Sequence, residues 1–320
     1  MARAAVLSRR QAILGLSACS LPLRSRCDEA RVSAFEQVAP GLYVRFGVHE
    51  DASLRNGNAI ANIGFIVGRT SVAVMDPGGS LADGRRLRAA IRKVTSLPIR
   101  YVLVTHGHPD HIFGAGAFVE DAPQFVGHHL LPAMLGERGE YYRQRLEATL
   151  GRGAAGPVIA PTVLVQDRMP LDLGQRTLQL EAHGRAHTSC DLTALDPATG
   201  TLLTGDLLFV DRIPSLDGSL RGWLSELTAL ESSAARHAVP GHGPKRVDWP
   251  AAASALRRYL GILLSETRQA LRKGIELEQA VDTVGQSERG KWLLFDDYHG
   301  HNVTQAFKEL EWEQPSVSAR

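Results

Sequence analysis

Apolar and polar positions change their period several times along the chain, and those changes mark its elements. Val38 to Phe46 reads as a strand broken at Pro40-Gly41, and Ala59 to Val67 and Ser71 to Met75 alternate or run apolar around the turn Gly68-Arg69-Thr70. Asp76-Pro77-Gly78-Gly79 closes this hairpin. Leu87, Ala90, Ile91 and Val94 then share one face at helical spacing, so Leu81 to Val94 is expected to be a helix packed on a sheet. Ile99 to Val104 is the next buried strand. It runs directly into Thr105-His106-Gly107-His108-Pro109-Asp110-His111, followed by the helix-like Ile112 to Phe118.

A second half repeats the grammar, with strands expected at Thr162 to Val165, Thr177 to Ala182, Leu192 to Asp196 and Thr201 to Thr204. Helices are expected near Leu220 to Leu230 and Ala251 to Leu271. Two sheet-rich halves with outer helices imply an α/β (α+β) fold, a four-layer αββα sandwich with a C-terminal helical segment from about residue 250. Leu135 to Pro161, rich in Gly, Arg and Glu, separates the halves as a loop or mobile helix over the active site. With 320 residues, 44% of them hydrophobic, the chain can bury a full core in one large domain, read here as 28–320. The net charge of +2 is spread out and aromatic residues are only 6%, which excludes a nucleic-acid stripe or stacking platform.

Residues 1–27 read as an export signal. Arg3, Arg9 and Arg10 precede the short apolar run Ala12 to Leu16, and Ser8-Arg9-Arg10-Gln11-Ala12-Ile13-Leu14 resembles the twin-arginine signal, which implies delivery to the periplasm. Leu16-Ser17-Ala18-Cys19 also reads as a lipobox. Lipidation of Cys19 would then be the route to the membrane, because no later run approaches the roughly 20 apolar residues of a spanning helix. Three widely spaced cysteines exclude a C-x-x-C metal or redox motif and leave Cys27 and Cys190 either as a pair or as two free thiols.

The chemistry concentrates in His106-x-His108-x-Asp110-His111 at the carboxyl end of a strand. Residues i and i+2 of an extended segment point the same way, so His106 and His108 can converge on one ion, and Pro109 keeps His108 out of the helical region. Asp110 and His111 open the following helix and can face a second ion. Imidazole and carboxylate donors without thiolate suit zinc, with iron or manganese as lesser candidates. Four ligands cannot close two sites, and further donors follow at strand ends: His187 in Gly-Arg-Ala-His-Thr, Asp206 in Thr-Gly-Asp and His242 in Pro-Gly-His-Gly. His183, four residues before His187, competes for the same role or serves as a supporting or surface histidine.

This ordered set resembles the metallo-β-lactamase superfamily over about Phe35 to Gly243. The resemblance implies that His106, His108 and His187 bind a first zinc, that Asp110, His111 and His242 bind a second, and that Asp206 bridges the two. It also implies that Asp76 hydrogen-bonds the metal loop, against the plainer reading of a turn carboxylate before Pro77-Gly78. The segments Thr204 to Val210, Ile213 to Ser219 and Asn302-Val303 to Glu313 are similar to those of the quinoprotein relay system zinc metallohydrolases, which implies association with a periplasmic quinoprotein dehydrogenase system.

The expected function is hydrolysis of a small ester, thioester or lactam by a metal-bridging hydroxide, with Asp110 as the catalytic proton shuttle. His299 and His301 are candidates for substrate contact from the tail, or ordinary surface histidines. A β-lactamase usually carries Cys or Ser at the position of Asp206, and a diiron redox protein of this fold carries Glu at that of His108. A phosphodiesterase or nuclease uses similar ligands, but export and the absence of a basic surface in this chain count against it. A non-catalytic metal-binding accessory of the dehydrogenase is the alternative outside enzymology.

Overall fold

A computed structural model of the chain describes residues 34–313. The expected export signal, Cys19, Cys27 and the polar end from Gln314 lie outside the described residues.

Two sheets form the middle of the fold. The first has seven strands in chain order: β1 (Glu36–Ala39), β2 (Leu42–Arg45), β3 (Ile63–Val67), β4 (Val72–Met75), β5 (Ile99–Val104), β6 (Gln124–His128) and β7 (Val163–Val165). It is antiparallel up to β4 and parallel from β4 to β7. The second contains β8 (Arg168–Asp172), β9 (Thr177–Ala182), β10 (Leu192–Asp196), β11 (Thr201–Phe209), β12 (His237–His242) and β13 (Val247–Asp248), antiparallel except for the parallel pair β11 and β12.

Period-two alternation explains how the layers stack. In β4, Ala73 and Met75 point between the sheets, where Leu103, Val126, Leu178, Leu180, Leu203 and Val239 also pack. Val72 and Val74 point the other way, onto Leu87 and Ile91 of α1 (Leu81–Val94). That helix begins where expected because the Ser80 side chain accepts the backbone N–H of Asp83, and Arg92 and Lys93 complement its carboxyl end. On the far side, Leu202 and Leu208 of β11 pack on Trp223 and Leu227 of α4 (Leu220–Glu231). Tyr259 and Leu260 of α5 (Ala253–Arg272 in chain order) join that layer, as does Val303 of a later helix. Complete burial of each such large side chain contributes about 1.5–3 kcal/mol. The result is the αββα sandwich.

Several expected boundaries move for identifiable reasons. The strand expected from Ala59 starts only at Ile63, because Asn62 turns its side chain to donate to the carbonyls of Pro240 (2.9 Å) and Gly243 (3.0 Å) and to accept from Gly47 N–H (2.9 Å). The helix expected over Ile112 to Phe118 is split into the single turn α2 (Pro109–Ile112) and a 3-10 helix, Ala115–Asp121. Between them a Cβ at Gly114 would collide with the Pro77 carbonyl, so this close approach requires glycine. The stretch expected as a loop or mobile helix is largely α3 (Leu131–Leu150). After α5 the expected C-terminal helical segment continues in two helices that the sequence did not delimit, α6 (Leu277–Thr283) and α7 (Phe295–Leu310). No helix among the described residues is long and apolar enough to cross a membrane.

Candidate metal centre

The donors gather at one end of the sandwich, just past β5, between β9 and β10, inside β11 and at the end of β12. Two groups result: His106, His108, His187 and Asp206, and beside them Asp110, His111 and His242. Nε2 of His106, Nδ1 of His108 and Nε2 of His187 form a triangle with edges of 3.0, 3.0 and 3.3 Å. Ligands at a zinc–nitrogen distance of about 2.0–2.1 Å in tetrahedral geometry stand about 3.3 Å apart. Asp206 spans the groups. Its Oδ1 lies 3.2 Å from His111 Nε2, and its Oδ2 lies 3.3 Å from His242 Nε2 and 3.5 Å from His187 Nε2. Asp110 Oδ2 is 3.2 Å from His242 Nε2 and 3.5 Å from His111 Nε2. A Cβ at Gly241 would collide with Asp206 Oδ1, which is why glycine precedes His242.

What faces outward fixes what faces inward. Thr105 Oγ1 donates to Asp76 Oδ2 at 2.8 Å and therefore accepts from His106 Nδ1–H at 3.0 Å. His108 Nε2–H donates to Asp217 Oδ2 (2.8 Å), and His111 Nδ1–H to Asp76 Oδ2 (2.9 Å). His187 Nδ1–H donates to the Ser215 carbonyl (2.7 Å), and His242 Nδ1–H to that of Ile60 (2.9 Å). Each imidazole spends its proton on an outer acceptor, so five lone pairs point inward at two carboxylates. Acceptors facing acceptors repel unless cations lie between them. His111 Nε2 and Asp206 Oδ1 are buried with no hydrogen-bond partner, which is the signature such cations would leave. The donors therefore fit divalent metal.

Asp76 anchors the loop that carries three of these residues, and it does so from a backbone conformation, φ 53°, that non-glycine residues rarely adopt. Besides His111 and Thr105 Oγ1 it accepts the Thr105 N–H at 2.8 Å. Burial pushes the His106 imidazole well below its ordinary pKa. At His111 burial acts in the same direction, but the carboxylates of Asp206, Asp110 and Asp76 outweigh it and raise that ring. Burial also opposes charge on Asp217, yet the bonds from His108 and His301 hold it well below the usual carboxylate range.

A cavity of about 210 Å³ opens onto Asp110, Asp206 and His242, walled by Ile60, Phe209 and Ile213 and flanked by Tyr142, Arg212 and Tyr298. Arg212 is 4% exposed. Its Nη2 donates to Tyr298 Oη at 3.0 Å and its guanidinium lies 5.2 Å from that ring, but no carboxylate stands within ion-pair distance among the described residues. Because His242 Nδ1 already donates to Ile60, it cannot accept from Arg212 Nη1, 3.4 Å away.

Asp217, Arg212, Tyr142 and Tyr298 received no role from the sequence; Asp217 and Tyr142 lay inside the segments Ile213 to Ser219 and Leu135 to Pro161, but nothing in the sequence places them at the cavity. His183 is not among the donors: it sits between Glu226 (2.9 Å) and Thr193 (2.8 Å), on a separate groove of about 540 Å³ on the outer face of the second sheet. His299 faces away from the cavity. Its Nδ1 faces Tyr259 Oη (2.9 Å) and its Nε2 the Val284 carbonyl (2.7 Å), both in the helical core, because α7 turns that face inward. His301, half-exposed on the same helix, is bound to Asp217 Oδ1 (2.9 Å) and the Leu216 carbonyl (3.1 Å) rather than lining the cavity.

Comparison with known proteins places the fold and the family. The chain is 23% identical over 287 residues to a linear primary-alkylsulfatase from a Pseudomonas species, covering 75% of this chain and 54% of that one, so it spans about half the length of this curated relative. A solved structure of a variant of the sec-alkyl sulfatase PisA1 superposes with a TM-score of 0.65 at 17% identity, over 86% of this chain and 50% of the other. A metallo-beta-lactamase from Pontibacter korlensis does so with a TM-score of 0.59 at 16% identity, over 71% of this chain and 98% of its own. Residues 56–242 match the family profile described as metallo-beta-lactamase superfamily, a span that includes every donor named above. The chain belongs to the metallo-β-lactamase superfamily.

Proposed function

We propose that this superfamily hydrolase is a dinuclear zinc enzyme of the periplasm that cleaves a small ester, thioester or lactam. The observation that carries this reading is the convergence of five imidazole lone pairs and two carboxylates, each imidazole fixed from outside, on two adjacent points. His106, His108 and His187 would hold one ion, Asp110, His111 and His242 the other, with Asp206 shared between them. The absence of thiolate and the tetrahedral spacing suit zinc better than iron or manganese. Ions held there supply Lewis acidity and bring the pKa of water near neutrality.

The chain's own residues do the rest. Asp110 lines the cavity with Oδ2 turned to His111 and His242, so its other oxygen, Oδ1, is the atom that takes up and returns a proton. Ile60, Phe209 and Ile213 exclude water from one side of the substrate. Zinc-loaded protein is expected to hydrolyse at least one member of a panel of p-nitrophenyl acetate, a thioester, a lactone and a lactam. A chelator should stop the reaction, zinc should restore it, and His106→Ala should abolish it. Full activity in metal-free protein would end this reading.

Arg212 favours a second reading. A buried guanidinium with no carboxylate partner among the described residues suits an anionic substrate group, and two of the relatives are alkyl sulfatases. An alkyl sulfate therefore belongs in the panel. Arg212→Leu removes charge-assisted hydrogen bonds worth about 1.5–3 kcal/mol, which corresponds to about a 10–100-fold rise in KM for anionic substrates. A neutral ester should change less than about threefold, and equal losses on both would remove Arg212 from substrate recognition. Support for the periplasmic setting comes from Ser8 to Leu14. A quinoprotein dehydrogenase partner is supported by the segments from Thr204, Ile213 and Asn302, and a lipid anchor by Cys19.

A further inference from the structure

Helix α7 lies outside the family-matched region of residues 56–242, yet it is tied through one loop to the outer acceptors of the first histidine group. That loop, Ile213 to Ser219, supplies the outer acceptors for two histidines of the first group: the Ser215 carbonyl for His187 and Asp217 Oδ2 for His108. The Asp217 N–H also donates to the His187 carbonyl at 3.0 Å. Three residues of α7 hold the loop. Asn302, fully buried, donates to the Pro214 carbonyl (2.7 Å) and accepts from Leu216 N–H (2.9 Å), bracketing Ser215. Glu309 accepts from Ser219 Oγ–H (2.8 Å) and Leu220 N–H (2.6 Å).

The third is His301. Its Nε2–H donates to Asp217 Oδ1 at 2.9 Å and shares that proton with the Leu216 carbonyl at 3.1 Å. A carboxylate with one oxygen held in this way cannot turn freely, so its other oxygen stays on His108 Nε2–H, and His108 keeps Nδ1 turned toward His106 and His187, where it would hold an ion. The second group is wired differently. Its outer acceptors for His111 and His242 are Asp76 and the Ile60 carbonyl, and neither shares a hydrogen bond with α7 among the described residues.

We propose that His301 is a positioning residue for the first metal site, acting through Asp217 on His108, so that the C-terminal helix sets the cation affinity of the three-histidine half and not of the other. This rests on the zinc reading above. Loss of an outer partner of a metal-bound histidine typically costs 10–100-fold in affinity. His301→Leu, in the full-length zinc-loaded protein, is therefore expected to lower the affinity of one zinc by on the order of 10-fold while the second changes less than about twofold.

The test is chelator competition with metal analysis, which does not depend on turnover. His301→Gln, which keeps an N–H donor at a similar reach, should restore most of the affinity. In an Asp217→Asn background His301→Leu should add little, because the link is already broken. A thermal melt of each protein checks that it is folded. If His301→Leu weakens both zincs alike, if Gln fails to rescue, or if the losses from His301→Leu and Asp217→Asn simply add, the proposal is overturned. A wild-type protein that binds no zinc overturns it together with the zinc reading, whereas two zincs in wild type and unchanged affinities in His301→Leu overturn it alone.

Discussion

Asp206 is the side chain that both halves of the centre share, and replacing it with serine isolates that role. Its Oδ1 faces His111 at 3.2 Å and its Oδ2 faces His242 at 3.3 Å and His187 at 3.5 Å, so removal of one carboxylate takes an oxygen from each group. A serine hydroxyl is too short to span both. Four donors then fall to three in the first group, while the second loses its shared oxygen and keeps Asp110, His111 and His242. If the loss is on the order of 10–100-fold in zinc affinity, it amounts to about 1.4–2.7 kcal/mol of binding free energy. At a fixed, subsaturating zinc concentration the same amount is lost from the stability of the folded state. For a domain of this size about 1 kcal/mol shifts Tm by about 2–4 °C, so Asp206→Ser should melt about 3–10 °C below wild type. Scanning calorimetry with buffered zinc, together with metal analysis and turnover on a substrate from the panel, gives the three readouts. Two zincs retained at wild-type affinity with full turnover would show that Asp206 is not shared between ions.

Two further outcomes follow from other parts of the molecule. Glu288 is buried where burial alone would raise its pKa, yet Arg258, Lys291 and the Trp292 indole, at 2.8–3.1 Å, hold it at about 2. A carboxylate lowered on folding contributes stability that is complete above its unfolded value, near 4.5, and is lost as pH falls toward about 2. Glu288→Gln should therefore cost about 1–3 kcal/mol at pH 7 and flatten the stability profile between about pH 4.5 and 2 in urea titrations; parallel profiles would refute the assignment. For export, Arg9→Lys with Arg10→Lys should retain the precursor in the cytoplasm on fractionation, and unchanged delivery would point to another route.

The chain's periodicities revealed α1, β9 and β10 to the residue because each has a clean pattern with polar or glycine punctuation at both ends. The donor segments were legible for a related reason: the chemistry needs histidine and aspartate at strand ends, and little else concentrates them there. What escaped was held by long-range contact. β12 contains Pro240 and Gly241, which argue against a strand until the parallel pairing with β11 and the crowding around Asp206 are known. Helix α7 opens with two aspartates and carries two histidines, so its apolar face was hidden until α4 and α5 supplied the surface it covers. His299 and His301 stand two residues apart, yet a helix sends one into the core and the other toward Asp217. Arg212 gives no signal in the sequence, because only the fold buries it with no ion-pair partner among the described residues.

Metal content of the purified, full-length protein tests the zinc reading most directly. Inductively coupled plasma mass spectrometry, after dialysis against trace zinc, should find close to two zinc ions per chain in wild type. His106→Ala should show clearly fewer, with activity falling in step. A folded, fully active wild-type protein with no bound metal would contradict the reading, since the seven converging donors would then hold nothing that the reaction needs.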